Sequence, residues 1–327
     1  MLLQPKIKII LTSLIVSIVL MLLKFLAYFI TQSNAILTDA AESIVNVIAS
    51  AFAFYSIYLA ALPKDQNHPY GHGKVEFFSA FVEGTLIMLA GIVIIFKSAY
   101  NLFYPQEVKE LINGAYIIGI TGMINGGLGW YMVKKSKTLN SLTINADGKH
   151  LVTDAVSSFA LVLGLILIYF TKVNWLDSLL SMAIAIFIIY NGYRLTRKSV
   201  GGLMDESDLG VIKDIVTYLN SNRNEEWIDV HNLRAQRYGA QIHIDCHVTL
   251  PYYFDLNKVH QEVTDIDHII NKNVNAETEF FIHADPCVPQ CCHYCNVKNC
   301  QVRSEPKTKD ILWSLENVTS NHKHYEH

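Results

Sequence analysis

Two apolar stretches carry acids where acids are costly. TDAAESIVNVIAS, residues 38–50, places Asp39, Glu42 and Asn46 at a D-x2-E-x3-N spacing, and ADGKHLVTDAVSS, residues 146–158, places Asp147, His150 and Asp154 at D-x2-H-x3-D. Intervals of three and four put each trio on one helical face. Two such helices side by side bring Glu42, Asn46, His150 and Asp154 together, and four donors are what a tetrahedral divalent cation takes. Their carboxylates carry two negative charges, which a dication cancels and which protons can cancel instead. Imidazole titrates at about 6.5, and desolvation lifts carboxylates above about 4, so metal and protons compete for these groups near neutral pH. That competition predicts a carrier moving a divalent cation one way and protons the other by alternating access. An isolated Asn in such a helix is ordinarily an interhelical hydrogen bond. Ionisable groups cost roughly 2.5–3.5 kcal/mol at the centre of a span and persist where they line a pathway or meet a partner, which favours a site.

The elements that must position these residues are membrane helices. Of 327 residues 51% are hydrophobic and 17% charged, and the long apolar runs end near residue 200. A hydrocarbon core of about 30 Å needs roughly 20 helical residues, and six segments qualify: 7–31, 35–61, 77–103, 112–133, 142–171 and 173–196. Basic residues cluster in alternate connections, at Lys6 and Lys8, Lys64 and Lys74, Lys134, Lys135 and Lys137, and Arg194, Arg197 and Lys198. The positive-inside rule therefore predicts a multi-pass protein of the cell (inner) membrane with both termini cytoplasmic. Gly126 and Gly127 are expected to allow close helix packing. A net charge of −3 without a basic patch gives no footprint for a nucleic-acid partner.

Residues 201–327 read as a mixed sequence. The pattern predicts helix 207–222, strands 228–237 and 239–249, helix 256–272 and strand 277–283, an order that suits a small ferredoxin-like α+β module. In AQIHIDCHVTL, His243, Asp245 and His247 share one strand face and Ile242, Ile244 and Cys246 the other. For His243 and Asp245 the ordinary explanation is a solvated face. The division is thus 1–200 for transport, 201–287 for the cytoplasmic domain and 288–327 for a Cys/His-rich tail, metal-binding at first and then disordered.

Two further clusters have ligand chemistry. In KDQNHPYGHGKVEFF, Asp65, His68 and His72 can gather around a metal, with Pro69, Gly71 and Gly73 permitting the bend. In PCVPQCCHYCNVKNCQVR, Cys287, Cys291, Cys292, His293, Cys295 and Cys300 crowd together on the reducing side of the membrane, so metal binding is favoured over disulfides. Cys292-x2-Cys295 is a workable half-site for zinc or an iron–sulfur cluster, and the full ligand set stays open.

HPYGHGKVE before the third span, ADGKHLVTD in the fifth, six spans and FFIHADPC late in a small soluble domain together resemble the cation diffusion facilitators, over about residues 7–287. The resemblance implies a homodimeric, non-enzymatic exporter of zinc, iron or manganese that exchanges metal for protons, with Glu42, Asn46, His150 and Asp154 as the transport site and Asp65, His68 and His72 as a second site. It further implies cytoplasmic metal sites at His231, His247, His260, His283 and Asp285, where zinc would be a structural ligand, and a charge interlock of Lys74 with Asp205. The family usually has His or Asp, then Asp four residues later, in the second span; Glu42 and Asn46 depart from this and leave the metal open among Zn2+, Fe2+, Mn2+ and Co2+. The rival classes are a membrane metal sensor, suggested by the His- and Cys-rich end, and an intramembrane metalloenzyme, which lacks an H-E-x2-H helix.

Overall fold

The computed structural model describes residues 3–31, 34–103, 111–171, 175–274 and 278–325, which form two compact units, Met1–Met204 and Asp205–His327. The first unit is six helices: α1 (Leu3–Thr31), α2 (Asn34–Ala60), α3 (Val75–Phe103), α4 (Leu111–Leu139), α5 (Leu142–Thr171) and α6 (Trp175–Leu203). At 27 to 30 residues each is long enough to cross a bilayer. Helices α4 and α6 outlast the predicted spans of 112–133 and 173–196, because the basic residues that end each apolar run are themselves good helix formers.

These helices are inside-out relative to those of a soluble protein. Along α1, Leu11, Ile15, Ile18, Leu22 and Leu26 recur every three or four residues and are all exposed, while Ser13, Ser17 and Lys24 are buried. An apolar stripe suits lipid, and polar groups turned inward can satisfy one another. Among the described residues, Pro5–Leu26 and Val75–Phe103 form uninterrupted apolar windows; polar residues that the bundle needs inside break up α2 and α5.

Helix α3 packs along α6, α4 along α5 and α1 along α2. Ile10, Ile57, Met132, Ile144 and Leu151 share a core that joins α1, α2, α4 and α5, and a second core of Ala80, Ile87, Ala146, Ile188 and Leu195 joins α3 and α6 to α5. Helix α5 thus stands in both cores.

The α4–α5 approach depends on glycine. A Cβ at Gly148 would lie 2.9 Å from Met132 Cβ and 3.0 Å from the Gly129 carbonyl oxygen. Of the glycines expected to aid packing, Gly126 faces the Ala155 Cβ at 3.2 Å, whereas Gly127 has nothing within 4 Å. Gly127 is therefore a correction: it lies on the open face, and Gly129 makes the contact. Gly148→Val is expected to force α4 and α5 apart and cost about 1–3 kcal/mol, read as a lower thermal midpoint in detergent. An unchanged midpoint would refute close packing here.

In the second unit, α7 (Leu209–Ser221), β1 (Asp229–Tyr238), β2 (Gln241–Leu250), α8 (Leu256–Asn273) and β3 (Thr278–Pro286) follow the predicted α-β-β-α-β order. Asp208 caps α7 by accepting from the Gly210 and Val211 N–H groups, and Asp255 caps α8 through the Lys258 N–H. Gly239, at φ +66°, turns β1 into β2. The sheet order is β1-β2-β3, with the first pair antiparallel and the second parallel. Ile242, Ile244, Cys246, Val248 and Leu250 alternate into a core shared with Ile212, Ile215 and Leu219 of α7 and Ile266 and Ile270 of α8.

The tail packs onto this unit ahead of the last residues, for which disorder is expected. Trp313 and Val318 are buried in that same core, and a short helix, Leu315–Val318, starts with a capping box of Ser314 and Asn317. The ILWSLENV segment supplies enough apolar surface to dock, and its polar surroundings hide this in a composition-based reading. His243, expected on a solvated face, is only 6% exposed; it packs edge-on against Tyr238, with the rings 4.6 Å apart.

Candidate metal centres

Inside the helical bundle Asn46 of α2 joins His150 and Asp154 of α5. The Asn46 Nδ2 donates to Asp154 Oδ2 at 2.5 Å, and its Oδ1 faces His150 Nε2 at 2.9 Å. His150 Nε2 is 3.7 Å from Asp154 Oδ2. With Asn46 donating to the carboxylate, its oxygen is left to accept, an arrangement that suits the His150 tautomer protonated on Nε2. Amide, imidazole Nε2 and carboxylate are thus linked to one another directly. A cation held between them would be offered the Asn46 oxygen, a carboxylate oxygen and the Nε2 lone pair, and the last would require the imidazole proton to leave. The side chain of Glu42, the expected fourth donor, and that of Asp39 lie outside the described residues.

Asp147, one turn before His150, serves a different purpose. Buried at 0% exposure, it accepts from Ser13 Oγ of α1 at 2.7 Å and Ser50 Oγ of α2 at 3.0 Å. It pins three helices and sets the level at which α2 meets α5. Glu83 of α3, to which sequence reasoning gave no role, is also fully buried, and neither of its oxygens has a hydrogen-bond partner among the described residues. Asp147 and Asp154 lie within its electrostatic reach. It is a carboxyl group that the ligand set does not use.

The connection between α2 and α3 brings Asp65, His68 and His72 together as expected, with one donor atom from each inside a 4.8 Å sphere of mutual distance. Asp65 Oδ1 is 3.1 Å from His68 Nδ1 and Oδ2 is 3.5 Å from His72 Nε2. The Gly71 N–H bonds back to the His68 carbonyl, with Gly71 at φ +83°, which folds the loop onto itself. The His68 backbone N–H holds the Asp65 carboxyl below the usual carboxylate range, so it is ionised at neutral pH.

In the second unit, register builds the site. His231 of β1 pairs with His247 of β2, which in turn pairs with His283 of β3. The rings stand in a row across the sheet, with centroids 5.1 and 4.7 Å apart. Asp285 reaches all three: its Oδ2 is 3.5 Å from His231 Nε2 and 3.2 Å from His247 Nδ1, and its Oδ1 is 3.5 Å from His283 Nε2. His231, His247 and Asp285 form a ligand-sized group. His260, the remaining residue of the expected cytoplasmic sites, is not part of that group and stands exposed on α8.

The tail closes over this sheet, which sequence reasoning missed. A bulge after His231 sets Asn232 at φ +52°, and the Asn232 N–H donates to the Ser320 carbonyl at 2.7 Å. The His324 imidazole and backbone N–H bind the buried Asp229, and Lys323 Nζ lies 3.5 Å from Asp285 Oδ2. A lysine therefore occupies the charge position that a metal would take. The Lys323→Ala variant is expected to bind zinc at this site about two- to fivefold more tightly, the value of a weak ion pair; calorimetry that finds weaker binding would contradict the competition. Burial pushes the His231 imidazole below its ordinary 6.5, outweighing Asp229 and Asp285, which pull it up. The folded state then takes up a proton less readily than the unfolded chain. Stability from His231 is present above pH 6.5 and lost as pH falls below it, so acid should lower the midpoint followed by Trp227 and Trp313 fluorescence.

All six cysteines are free thiols. Cys287, Cys291, Cys292, Cys295 and Cys300 line one cavity of about 240 Å3 together with Tyr252, Tyr253 and Arg303. Burial raises the Cys292 thiol, but the Ser304 N–H and hydroxyl, the Glu305 N–H and the Arg303 charge more than offset it and hold the thiol below its ordinary value. His293, expected among the tail ligands, is turned away: its Nε2 is 2.6 Å from Glu305 and its Nδ1 3.3 Å from Thr308 Oγ1.

Comparison with known proteins decides the family. Residues 10–204 match the cation efflux transmembrane domain, and residues 209–287 match the cytoplasmic domain of cation efflux proteins. The chain belongs to the cation diffusion facilitator family. An uncharacterised transporter of Synechocystis is 30% identical over 264 residues, covering 81% of this chain and 85% of that protein. The cation-efflux pump FieF of Shewanella oneidensis is 27% identical over 271 residues (83% and 90%). A cadmium, cobalt and zinc/H(+)-K(+) antiporter of Bacillus subtilis is 25% identical over 285 residues (84% and 90%). This cation diffusion facilitator is a membrane protein of a family whose activity is divalent metal cation efflux, and its second unit is of the type through which such chains dimerise.

Proposed function

We propose that this chain exports Zn2+, or a near neighbour among Fe2+, Mn2+ and Co2+, from the cytoplasm across the cell (inner) membrane in exchange for protons. The observation that carries the reading is the closed set of Asn46, His150 and Asp154 between α2 and α5. Binding the cation there displaces the Nε2 proton of His150, so metal entry and proton release are one event, and reprotonation from the outside drives the metal off. Glu42 is the fourth ligand in this proposal. An imidazole in the set favours borderline metals over magnesium and calcium, which prefer all-oxygen shells.

The protein works as a homodimer surrounded by lipid, with both termini cytoplasmic. Asp65, His68 and His72 take a second ion, and His231, His247, His283 and Asp285 take a structural one that links the cytoplasmic domains. Lys74 and Asp205 are assigned to the charge interlock at the base of the bundle. Relatives that carry cadmium, cobalt and zinc in one case and manganese in another support a broad cation class.

The experiment is metal flux in proteoliposomes containing the full chain, with zinc, iron, manganese and cobalt each tested under an imposed and a collapsed pH gradient. Flux that follows the gradient is expected. Metal-dependent signalling without flux would replace this reading with a sensor.

A further inference from the structure

The cysteine cavity of the second unit has features that a single metal ion does not require. A tetrahedral zinc–thiolate site holds its sulfurs about 3.8 Å apart, given a Zn–S bond of about 2.3 Å. The cavity thiols are not among the groups of three or more donors gathered within 4.8 Å in the described residues. They instead surround about 240 Å3 of space, far more than one ion fills. An iron–sulfur cluster distributes its thiolates over two or four irons, and so spreads them around a volume of its own.

Burial and spacing select which cysteines are ligands. Cys291 is 1% exposed, packed with Ile228, Tyr294 and Val297, and its Sγ accepts from the Tyr294 hydroxyl at 3.5 Å, which commits it to the wall. The other four cysteines form a symmetric C-x4-C-x2-C-x4-C pattern. Cys292 Sγ lies 3.6 Å from the Ser304 hydroxyl, a polar contact of the kind that thiolate clusters use to hold and tune their charge.

The surroundings match a cluster's charge. Arg303 donates to the carbonyls of Cys292, Cys295 and Val297 at 3.1, 3.2 and 2.6 Å, which fixes the loop and sets a guanidinium beside sulfurs whose cluster would be anionic. Ile228, Pro289, Val288 and Val302 line the rest of the cavity and limit water. We propose that Cys287, Cys292, Cys295 and Cys300 bind an iron–sulfur cluster, with Cys291 as a buried wall residue outside the ligand set.

The test uses the full chain purified in detergent without oxygen, then supplied with ferric iron, sulfide and a thiol that reduces part of the iron. The expected result is iron and acid-labile sulfide in equal amounts, about two or about four of each per chain, visible absorption near 400 nm on the order expected for thiolate-bound iron, and a paramagnetic signal after one-electron reduction. Cys295→Ser is expected to lose these signals, and Cys291→Ser to retain them with unchanged tryptophan fluorescence. One zinc ion per chain with no labile sulfide, or no metal retained, would overturn the proposal on the unaltered chain, whatever the variants do. Loss in Cys291→Ser with retention in Cys292→Ser would overturn the ligand set.

Discussion

In the Asp154→Asn variant, proton-driven metal flux falls by about 100-fold or more while the thermal midpoint stays near that of the unaltered chain. The substitution is chosen because it removes charge and keeps shape. An amide at position 154 can still accept from Asn46 Nδ2, so the α2–α5 contact that the carboxylate makes at 2.5 Å is retained. What disappears is the anionic oxygen to which the proposed function gives both cation binding and exchange for protons. Losing even an outer-shell partner of a metal ligand typically costs 10- to 100-fold, and this is a direct one. The check is initial flux in proteoliposomes together with unfolding in detergent. Flux that survives would remove Asp154 from the site, whereas loss of both flux and fold would show Asp154 to be structural. Asn46→Asp is the companion variant. It raises the negative charge of the set and is expected to change the order of preference among zinc, iron, manganese and cobalt.

The largest expected loss of stability follows from Glu76→Ala. Glu76 opens α3 and is 3% exposed. Its Oε1 is 3.2 Å from Lys6 Nζ of α1, and its Oε2 accepts from Ser141 Oγ, at the α4–α5 turn, at 2.6 Å. Four helices thus converge on one carboxylate at one end of the bundle. Removing it leaves the Lys6 ammonium buried without its partner, a change that typically costs about 3–5 kcal/mol. Glu76→Gln should cost less, because the amide oxygen still accepts from Ser141. The double replacement Lys6→Met with Glu76→Leu should recover much of the loss, since two apolar groups need no compensation. Thermal unfolding of the three variants tests this; equal losses in all of them would show that packing rather than charge is at stake.

Lys6 also shows how sequence and structure divide the work. It entered the sequence reading as one of the basic flanking residues, which count toward orientation whether solvated or not. That it is 7% exposed and paired across the bundle with Glu76, seventy positions away, depends on α1 and α3 meeting.

What the sequence determined by itself were local periods. Runs of apolar residues longer than a bilayer, acids recurring at three and four, and strands alternating at two are properties of single elements, and the six helices and the α-β-β-α-β order follow from them. Asn46, His150 and Asp154, the described members of the proposed transport set, were legible as a group for the same reason, as was Asp65-x2-His68-x3-His72, whose members lie within one loop. Tertiary structure decided everything that depends on two elements meeting. Asp147 shares the helical face of His150 in sequence, yet Ser13 and Ser50 claim it; the histidine row exists only because the register aligns His231, His247 and His283, while His260, equally plausible by residue type, stands exposed on α8. The tail folded back because Trp313 and Val318 found an open core, and packing that no spacing rule locates walled in Cys291 apart from its neighbours. Periodicity is carried by neighbours in the chain, whereas partnership is carried by neighbours in space, and the free energy of a buried charge or thiolate is set by the second.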